Sequence, residues 1–273
     1  MESLRPNNNE LKNKVAIITG GATGIGFACA KLFARSGANV AILGNIEKDL
    51  NAAYNELKNY SANAITIFAD VSKEESLNDA FLNFDKHFDT LSILVCNAAI
   101  QPYGTVEKTP VKVWDKVQSI NIKGAFLSAQ KSIPRMRNAG GGSIINITSA
   151  QGSATQERVA AYSTSKGGLL ALTRAIAVDH AGDNIRANSV SPGCIDAPMT
   201  KYAASQNTTV DKQRQLMETW GRMQPLGRMG TAEEVAEVVT FLGSDRASFC
   251  TGADFRVDGG LMASLGVKLP EVD

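Results

Sequence analysis

Apolar residues fall along this chain in two alternating rhythms. Short runs at 15–19, 40–43, 64–69, 92–96, 143–148, 186–190 and 254–257 are rich in Ile and Val. They show little in/out alternation, which is how strands read when both faces of a parallel sheet are covered. Longer segments of helical periodicity lie between them, at 24–36, 47–59, 73–88, about 111–138, about 160–181 and 231–243. Strand and helix alternating over the whole length predict an α/β fold. The expected form is a doubly wound parallel sheet of seven strands with helices on both faces.

No repeat or linker divides the chain, so residues 13–262 read as a single domain. Residues 1–12 are polar and Asn-rich and read as a flexible arm, and 263–273 read as a tail. The segment 198–229 interrupts the alternation and scatters Met199, Tyr202, Met217, Trp220 and Met223 among polar residues. It reads as a lid over a substrate site, with an ordinary packed helical insertion as the alternative.

Composition narrows the function. The 273 residues are 44% hydrophobic and 20% charged, with a net charge of +1. Such a chain offers no field for nucleic acid or an anionic membrane. No uninterrupted apolar run approaches the ~18 residues of a membrane span. Cys29, Cys96, Cys194 and Cys250 are scattered without metal-ligand spacing, so no metal is expected. They read as reduced thiols in a cytoplasmic protein.

Chemistry enters with VAIITGGATGIG, a strand, a turn and a helix start. Gly20, Gly24 and Gly26 stand where the chain must turn tightly and then approach a ligand, because glycine tolerates positive φ and carries no Cβ. Free N–H groups at the helix start suit a pyrophosphate. The second strand ends in Leu43-Gly44-Asn45, without the carboxylate that usually holds the ribose hydroxyls of NAD. Asn45 can bond either ribose, and the missing negative charge favours NADP over NAD.

Tyr162 and Lys166 sit four apart among small residues, in AAYSTSKGG. On a helix they share one face, and the small neighbours predict room for a ligand along it. With the glycine turn, Asn97-Ala98-Ala99, Ser149 and this Tyr/Lys pair in order, the chain resembles the short-chain dehydrogenase/reductase family. Asp70-Val71, Asn121 in SINIKG, Ser191-Pro192-Gly193 and Val257-Asp258-Gly259-Gly260 extend the resemblance from about Lys12 to Met262.

The resemblance implies a Rossmann-type oxidoreductase that moves a hydride between NAD(P) and a secondary alcohol or ketone. It implies Asn121, Ser149, Tyr162 and Lys166 as the catalytic set, with Asn121 holding a water that links Lys166 to solvent. Dinucleotide contacts fall to Gly20, Thr23, Gly24, Ile25, Gly26, Asn45, Asp70, Val71, Asn97, Ala98, Tyr162, Lys166, Pro192, Gly193 and Ile195. Among these, Asp70 is to hold the adenine amine, and Asn97 and Ala98 are to line the ribose. It also implies a homotetramer paired through the long helices.

The chemistry is consistent with those residue types. A tyrosine hydroxyl with a pKa of ~10 can give a proton to a carbonyl oxygen if its phenolate is stabilised by a nearby cation such as Lys166. Gln101, Tyr103, Gln151, Gln156 and Glu157 are candidate pocket residues, and their polarity suits a small sugar, polyol or similar substrate. A 3-oxoacyl-(acyl-carrier-protein) reductase is the rival enzyme. Asp183, where such a reductase would place a basic residue, argues against that acidic partner. A non-catalytic dinucleotide sensor is the rival of another class, and retention of both Tyr162 and Lys166 argues against it.

Overall fold

A computed structural model describes residues 9–60 and 63–265. In chain order the main elements are β1 (Val15–Thr19), α1 (Gly24–Arg35), β2 (Asn39–Gly44), α2 (Glu47–Leu57), β3 (Ile65–Phe68), α3 (Glu74–Phe84) and β4 (Ile93–Cys96). They continue as α4 (Val111–Gln118), α5 (Gly124–Asn138), β5 (Gly142–Ile147), α6 (Ala160–Asp179), β6 (Ile185–Pro192), β7 (Ile195–Asp196) and α7 (Pro198–Asn207). The last are α8 (Gln213–Arg222), β8 (Gly230–Thr231), α9 (Ala232–Gly243) and β9 (Asp254–Val257).

Seven strands form one parallel sheet in the order β3-β2-β1-β4-β5-β6-β9. Alternate side chains of each strand serve opposite faces, which is why the central strands β1 and β4 are buried along their whole length. From β1, Ala16 and Ile18 join a core with Phe33 of α1 and Val235, Val239 and Leu242 of α9. Val15 and Ile17 join the opposite core with Leu77, Phe81 and Phe84 of α3, Leu127 of α5 and Leu169 and Ile176 of α6. The chain reverses direction of sheet-building between β1 and β4, and open α/β sheets bind ligands outside the carboxyl ends of strands at such a point.

Several sequence expectations change. The run at 111–138 is helical throughout, but residues Ser119–Lys123 form a π turn between α4 and α5. The reading of 1–12 as an arm fails at its described end. Leu11 is wholly buried, its amide donates to the Ser36 carbonyl at 3.1 Å, and Glu10 pairs with Arg246 at 2.9 Å. A single apolar residue in a polar stretch carries no periodicity to reveal it. Residues 1–8 and 266–273, the rest of the arm and most of the tail, lie outside the described residues.

The segment 198–229 is ordered into α7 and α8. Pro198 opens α7 at the position where a missing N–H costs nothing. At its base, β7 and β8 pair through Ile195↔Gly230 and Asp196↔Thr231. Thr231 and Glu234 then start α9 with reciprocal side-chain to backbone bonds. No helix among the described residues is long and apolar enough to cross a membrane.

Candidate active site

The turn after β1 is built by close packing before any ligand is considered. Gly20 (φ 61°) and Gly24 (φ 55°) adopt the left-handed region. A Cβ on Gly26 would overlap the Gly20 carbonyl oxygen, so this glycine is required by the protein's own backbone. Asn97 closes the turn: its Nδ2 donates to the carbonyls of Thr19 at 3.2 Å and Gly20 at 2.9 Å. Thr19, which the sequence did not single out, accepts the Asn97 and Ala98 amides on its buried hydroxyl at 3.0 and 3.2 Å. Thr23 caps α1 without a side-chain bond, and no acidic residue sits in the first turn of that 12-residue helix. Left-handed glycines and uncapped first-turn amides make a cradle that fits a dinucleotide pyrophosphate.

A cavity of about 650 Å³ opens from this turn across the carboxyl ends of β4, β5 and β6. Gly20, Thr23, Ile25, Asn97, Ala98, Ser149, Tyr162, Lys166, Pro192, Gly193 and Ile195 line it, together with Gln101, Gln151 and Gln156. The structure therefore brings together most of the residues singled out from sequence. Gly24, Gly26, Asn45, Asp70, Val71 and Asn121 do not line this cavity. Asn45 is exposed just past β2. Asp70 follows β3, where its Oδ1 accepts both the amide and the hydroxyl of Ser72 at 3.1 and 2.7 Å. Burial pushes the Asp70 carboxyl up, but Ser72 and Lys73 outweigh that and leave it below the ordinary value.

The reactive set is held by α6 and the turn after β5. Ser149 is extended and caps a short 3₁₀ turn, accepting the Gln151 amide on its hydroxyl at 3.1 Å. Its hydroxyl stands beside the Tyr162 phenol, and both residues are buried and line the cavity. Burial pushes the Tyr162 phenol up to about 12, with the Ser149 hydroxyl opposing it. Lys166 is 2% exposed, and burial pulls its ammonium down to about 8. Its Nζ donates to the Ile147 carbonyl at 2.7 Å and lies 5.6 Å from the centre of the Tyr162 ring. The sequence expected Lys166 to depress the tyrosine; in this geometry burial governs the phenol, and the ammonium is spent on a backbone carbonyl.

Two further groups of residues are packed by the protein itself. Asn121 is engaged on both sides of its amide: its Oδ1 accepts the Ile100 amide at 2.9 Å, and its Nδ2 donates to the Ile100 carbonyl and the Ser165 hydroxyl, each at 3.0 Å. It is a strut between the loop after β4 and α6. The small residues of α6 also answer to packing. A Cβ on Gly168 would lie 2.6 Å from Ile122 Cδ1, and one on Gly167 would lie 3.3 Å from the carbonyl oxygen of Gly152 in the turn after β5. They allow close approach of helices rather than of a ligand.

The cavity's outer wall comes from residues the motifs did not reach. Met199, Thr200 and Ala203 of α7, Trp220 and Met223 of the α8 end, Cys194, Leu261 and Met262 all line it. Asp258 holds the turn that carries Leu261 and Met262 to the cavity by accepting the amides of Gly260 and Met262, each at 3.0 Å. Gln224 ties the segment down, accepting the Cys194 amide at 3.0 Å and donating to the Arg228 carbonyl at 2.7 Å. Tyr103 is a second phenol near Tyr162. Burial raises it, and the nearby side chains of Gln156 and Asn207 oppose that rise. Gln156 is exposed at the cavity edge. Glu157 does not line the cavity.

The argument from Asp183 also fails. It precedes β6 at the amino ends of the strands, while the cavity is at their carboxyl ends. Its carboxylate accepts two bonds from Arg137, at 2.8 and 2.7 Å, which hold it well below the usual range. A neutralised aspartate on the far end says nothing about an acidic carrier at the site mouth.

Comparisons with known proteins agree with the geometry. A family model described as enoyl-(acyl carrier protein) reductase matches residues 20–262. The chain is 35% identical over 257 residues to 2-(S)-hydroxypropyl-CoM dehydrogenase 3 of Xanthobacter autotrophicus, covering 94% of this chain and 99% of that protein. It is 35% identical over 253 residues to a 3-oxoacyl-(acyl-carrier-protein) reductase of Thermotoga maritima, covering 92% and 99%. The solved structure of Thermoplasma acidophilum aldohexose dehydrogenase superposes with a TM-score of 0.88 at 32% identity, over 97% of this chain and 100% of that one. The relatives act on alcohols and ketones, and members of their family use NAD or NADP. With the cradle, the sheet order and the buried Ser149–Tyr162 pair, these matches show that the chain belongs to the short-chain dehydrogenase/reductase family and is an oxidoreductase acting on CH–OH and C=O groups.

Proposed function

We propose that Tyr162, Ser149 and Lys166 are the catalytic residues and that the substrate is a small, uncharged, polar secondary alcohol or its ketone. The observation that carries this reading is the convergence of two buried hydroxyls, Ser149 and Tyr162, on one cavity, with a buried ammonium one turn away. Bound dinucleotide gives or takes the hydride. Ser149 orients the substrate oxygen, and Tyr162 passes the proton to or from it. Lys166, inside low-dielectric surroundings, offsets negative charge that develops on those oxygens. Lys166 is the single charged side chain among the described residues that line the cavity, which favours a neutral substrate. The likeness to an aldohexose dehydrogenase points the same way. A panel of sugars, polyols, hydroxysteroids and 3-oxoacyl thioesters, followed at the nicotinamide absorbance with each cofactor, tests it. Turnover confined to the thioesters would overturn the substrate reading.

The shifted groups fix a pH dependence. Alcohol oxidation requires ionised Tyr162, and with the phenol at about 12 its ionised fraction grows tenfold per pH unit across neutrality. Oxidation kcat/KM should therefore rise with unit slope from pH 6 to 8. Reduction requires the phenol proton and the charged ammonium. It should stay flat to about pH 8, where Lys166 loses its proton, and fall above. Parallel pH–rate profiles check this, and an oxidation profile flat across neutrality would contradict it.

For the cofactor we favour NADP. The edge after β2 is Gly44-Asn45-Ile46, uncharged and exposed. Glu47 and Asp49 follow, but they sit in the first turn of α2, where that helix's own amides compensate them. Asn45→Asp places a carboxylate at the ribose without changing side-chain size. It should move the ratio of kcat/KM values at least about tenfold towards NAD, or ~1.4 kcal/mol. An unchanged ratio would remove this edge from cofactor choice.

A homotetramer fits the exposed Trp114, Phe126 and Val178 on the helices flanking the site, and Phe249 near the last strand. Four free thiols fit a cytoplasmic setting.

A further inference from the structure

Gln224 is 2% exposed at the exit of the segment 198–229, just past α8. Both polar atoms of its side chain are engaged. Oε1 accepts the Cys194 amide at 3.0 Å, and Nε2 donates to the carbonyls of Cys194 at 3.3 Å and Arg228 at 2.7 Å. One side chain thus holds both backbone groups of Cys194, as a neighbouring strand would. It also fills the space beside Gly193. A Cβ there would lie 2.4 Å from Gln224 Oε1 and 2.8 Å from Asp258 Cα, so the glycine is required by its protein neighbours. The backbone of Gln224 is itself fixed: its amide donates to the Gly221 carbonyl at 3.1 Å, and its carbonyl accepts the Gly227 amide at 2.7 Å.

The peptide that Gln224 holds is part of the cavity wall, since Pro192, Gly193 and Cys194 all line it. So do Met223, the residue before Gln224, and Leu261 and Met262 of the turn after β9. That turn is joined to the same place, because the Leu226 amide donates to the Gly259 carbonyl at 3.1 Å. Three walls of the cavity therefore meet at Gln224, which does not line it. The cradle after β1 has separate supports in Thr19 and Asn97. A peptide amide that loses its partner in a part-buried place shifts to find another.

We propose that Gln224 is a positioning residue for the nicotinamide end of the dinucleotide: by fixing the Gly193–Cys194 peptide from behind, it sets the wall that this ring meets and ties that wall to the exit of the segment over the substrate. This rests on the reading of the site given above. In that reading the hydride moves beside Ser149 and Tyr162, so the turn after β6 serves the reacting ring while the cradle serves the pyrophosphate. Gln224 touches neither cofactor nor substrate and neither gains nor loses a proton. It acts on alignment, where a displacement of about 1 Å costs about 100-fold in rate.

The test compares each reduced dinucleotide with the fragment that lacks the ring, NADH with ADP-ribose and NADPH with 2′-phospho-ADP-ribose, by calorimetric titration. In the unaltered protein the ring should add at least about tenfold to affinity for the preferred pair. Gln224→Met keeps the length of the side chain and removes its three bonds. It should lower the ratio of dinucleotide to fragment affinity at least about fivefold, hold fragment affinity within about twofold, and lower kcat about 10- to 100-fold. Gln224→Glu keeps an acceptor for the Cys194 amide and loses both donations, so its ratio should fall between the two. Fragment binding reports that each variant is folded, and where Gln224→Met does not fold, Gln224→Glu decides by the same ratio. An unchanged ratio in a folded variant, whether both affinities hold or both fall together, overturns the inference. So does a ratio near one in the unaltered protein, or a kcat within about twofold of the unaltered value. The ratio is read without turnover. Absence of turnover by the unaltered protein with every secondary alcohol and ketone, the ratios being as expected, would instead overturn the catalytic reading beneath it.

Discussion

Tyr162→Phe should bind dinucleotide with unaltered affinity and lose about 10³- to 10⁴-fold in kcat in both directions. The substitution deletes one oxygen and keeps the ring. The ring remains buried on α6, and the cradle after β1 does not touch it. Ser149 keeps its bond from the Gln151 amide, so the turn after β5 retains its shape. What is lost is the one phenolic proton placed to follow the hydride. A fluorescence titration with dinucleotide and steady-state rates separate binding from chemistry. Turnover within tenfold of the unaltered enzyme would remove Tyr162 from the proton path.

Lys166→Met should lose at least about 100-fold in kcat and yet gain stability at pH 7. Burial lowers the ammonium from its ordinary 10.5 to about 8. That shift corresponds to about 3 kcal/mol of native-state penalty on the charged form. The sign follows from proton binding. Between about pH 8 and 10.5 the unfolded chain holds the proton and the native protein does not, so native stability rises with pH across that window. Below pH 8 both states are charged and the full penalty applies. Methionine removes it but also strands the Ile147 carbonyl, at about 1 kcal/mol. The net gain is about 1–2 kcal/mol, or a few degrees in Tm for a chain of this size. The advantage should vanish by pH 10, and thermal melts at pH 7 and pH 10 measure it. Equal destabilisation at both values would mean that the lysine stabilises the fold.

The frame and the centre of the site were legible because their signals are dense and local. The central strands β1 and β4 are continuous apolar runs with two buried faces, and the seven strands of the main sheet appear near their observed bounds. Ser149, Tyr162 and Lys166 follow fixed elements and so reach one cavity. Roles that depend on unbroken networks were not legible. Asn121 matches a motif, but only the structure shows its amide making three bonds that tie the loop after β4 to α6. Glycine was read as making space for a ligand, whereas Gly26 and Gly168 make space for the chain itself. Gln224 and Thr19 gave no signal at all, since an isolated buried polar residue has neither period nor spacing. Nor could the sequence reveal that Asp183 lies before β6, at the end of the sheet away from the cavity.

The pairing of β7 with β8 has an evolutionary consequence. Residues 197–229 leave the sheet and return to it at one point, held by Ile195↔Gly230 and Asp196↔Thr231. The hydroxyls and the ammonium proposed to react lie outside that interval, in the turn after β5 and on α6. A closed excursion of this kind adds only about 0.6 kcal/mol of closure entropy for each doubling of its length. Exchanging it for a longer, shorter or differently lined segment would thus leave hydride and proton transfer intact while changing which molecules can enter. Descendants of this chain can diversify in diet without relearning their chemistry.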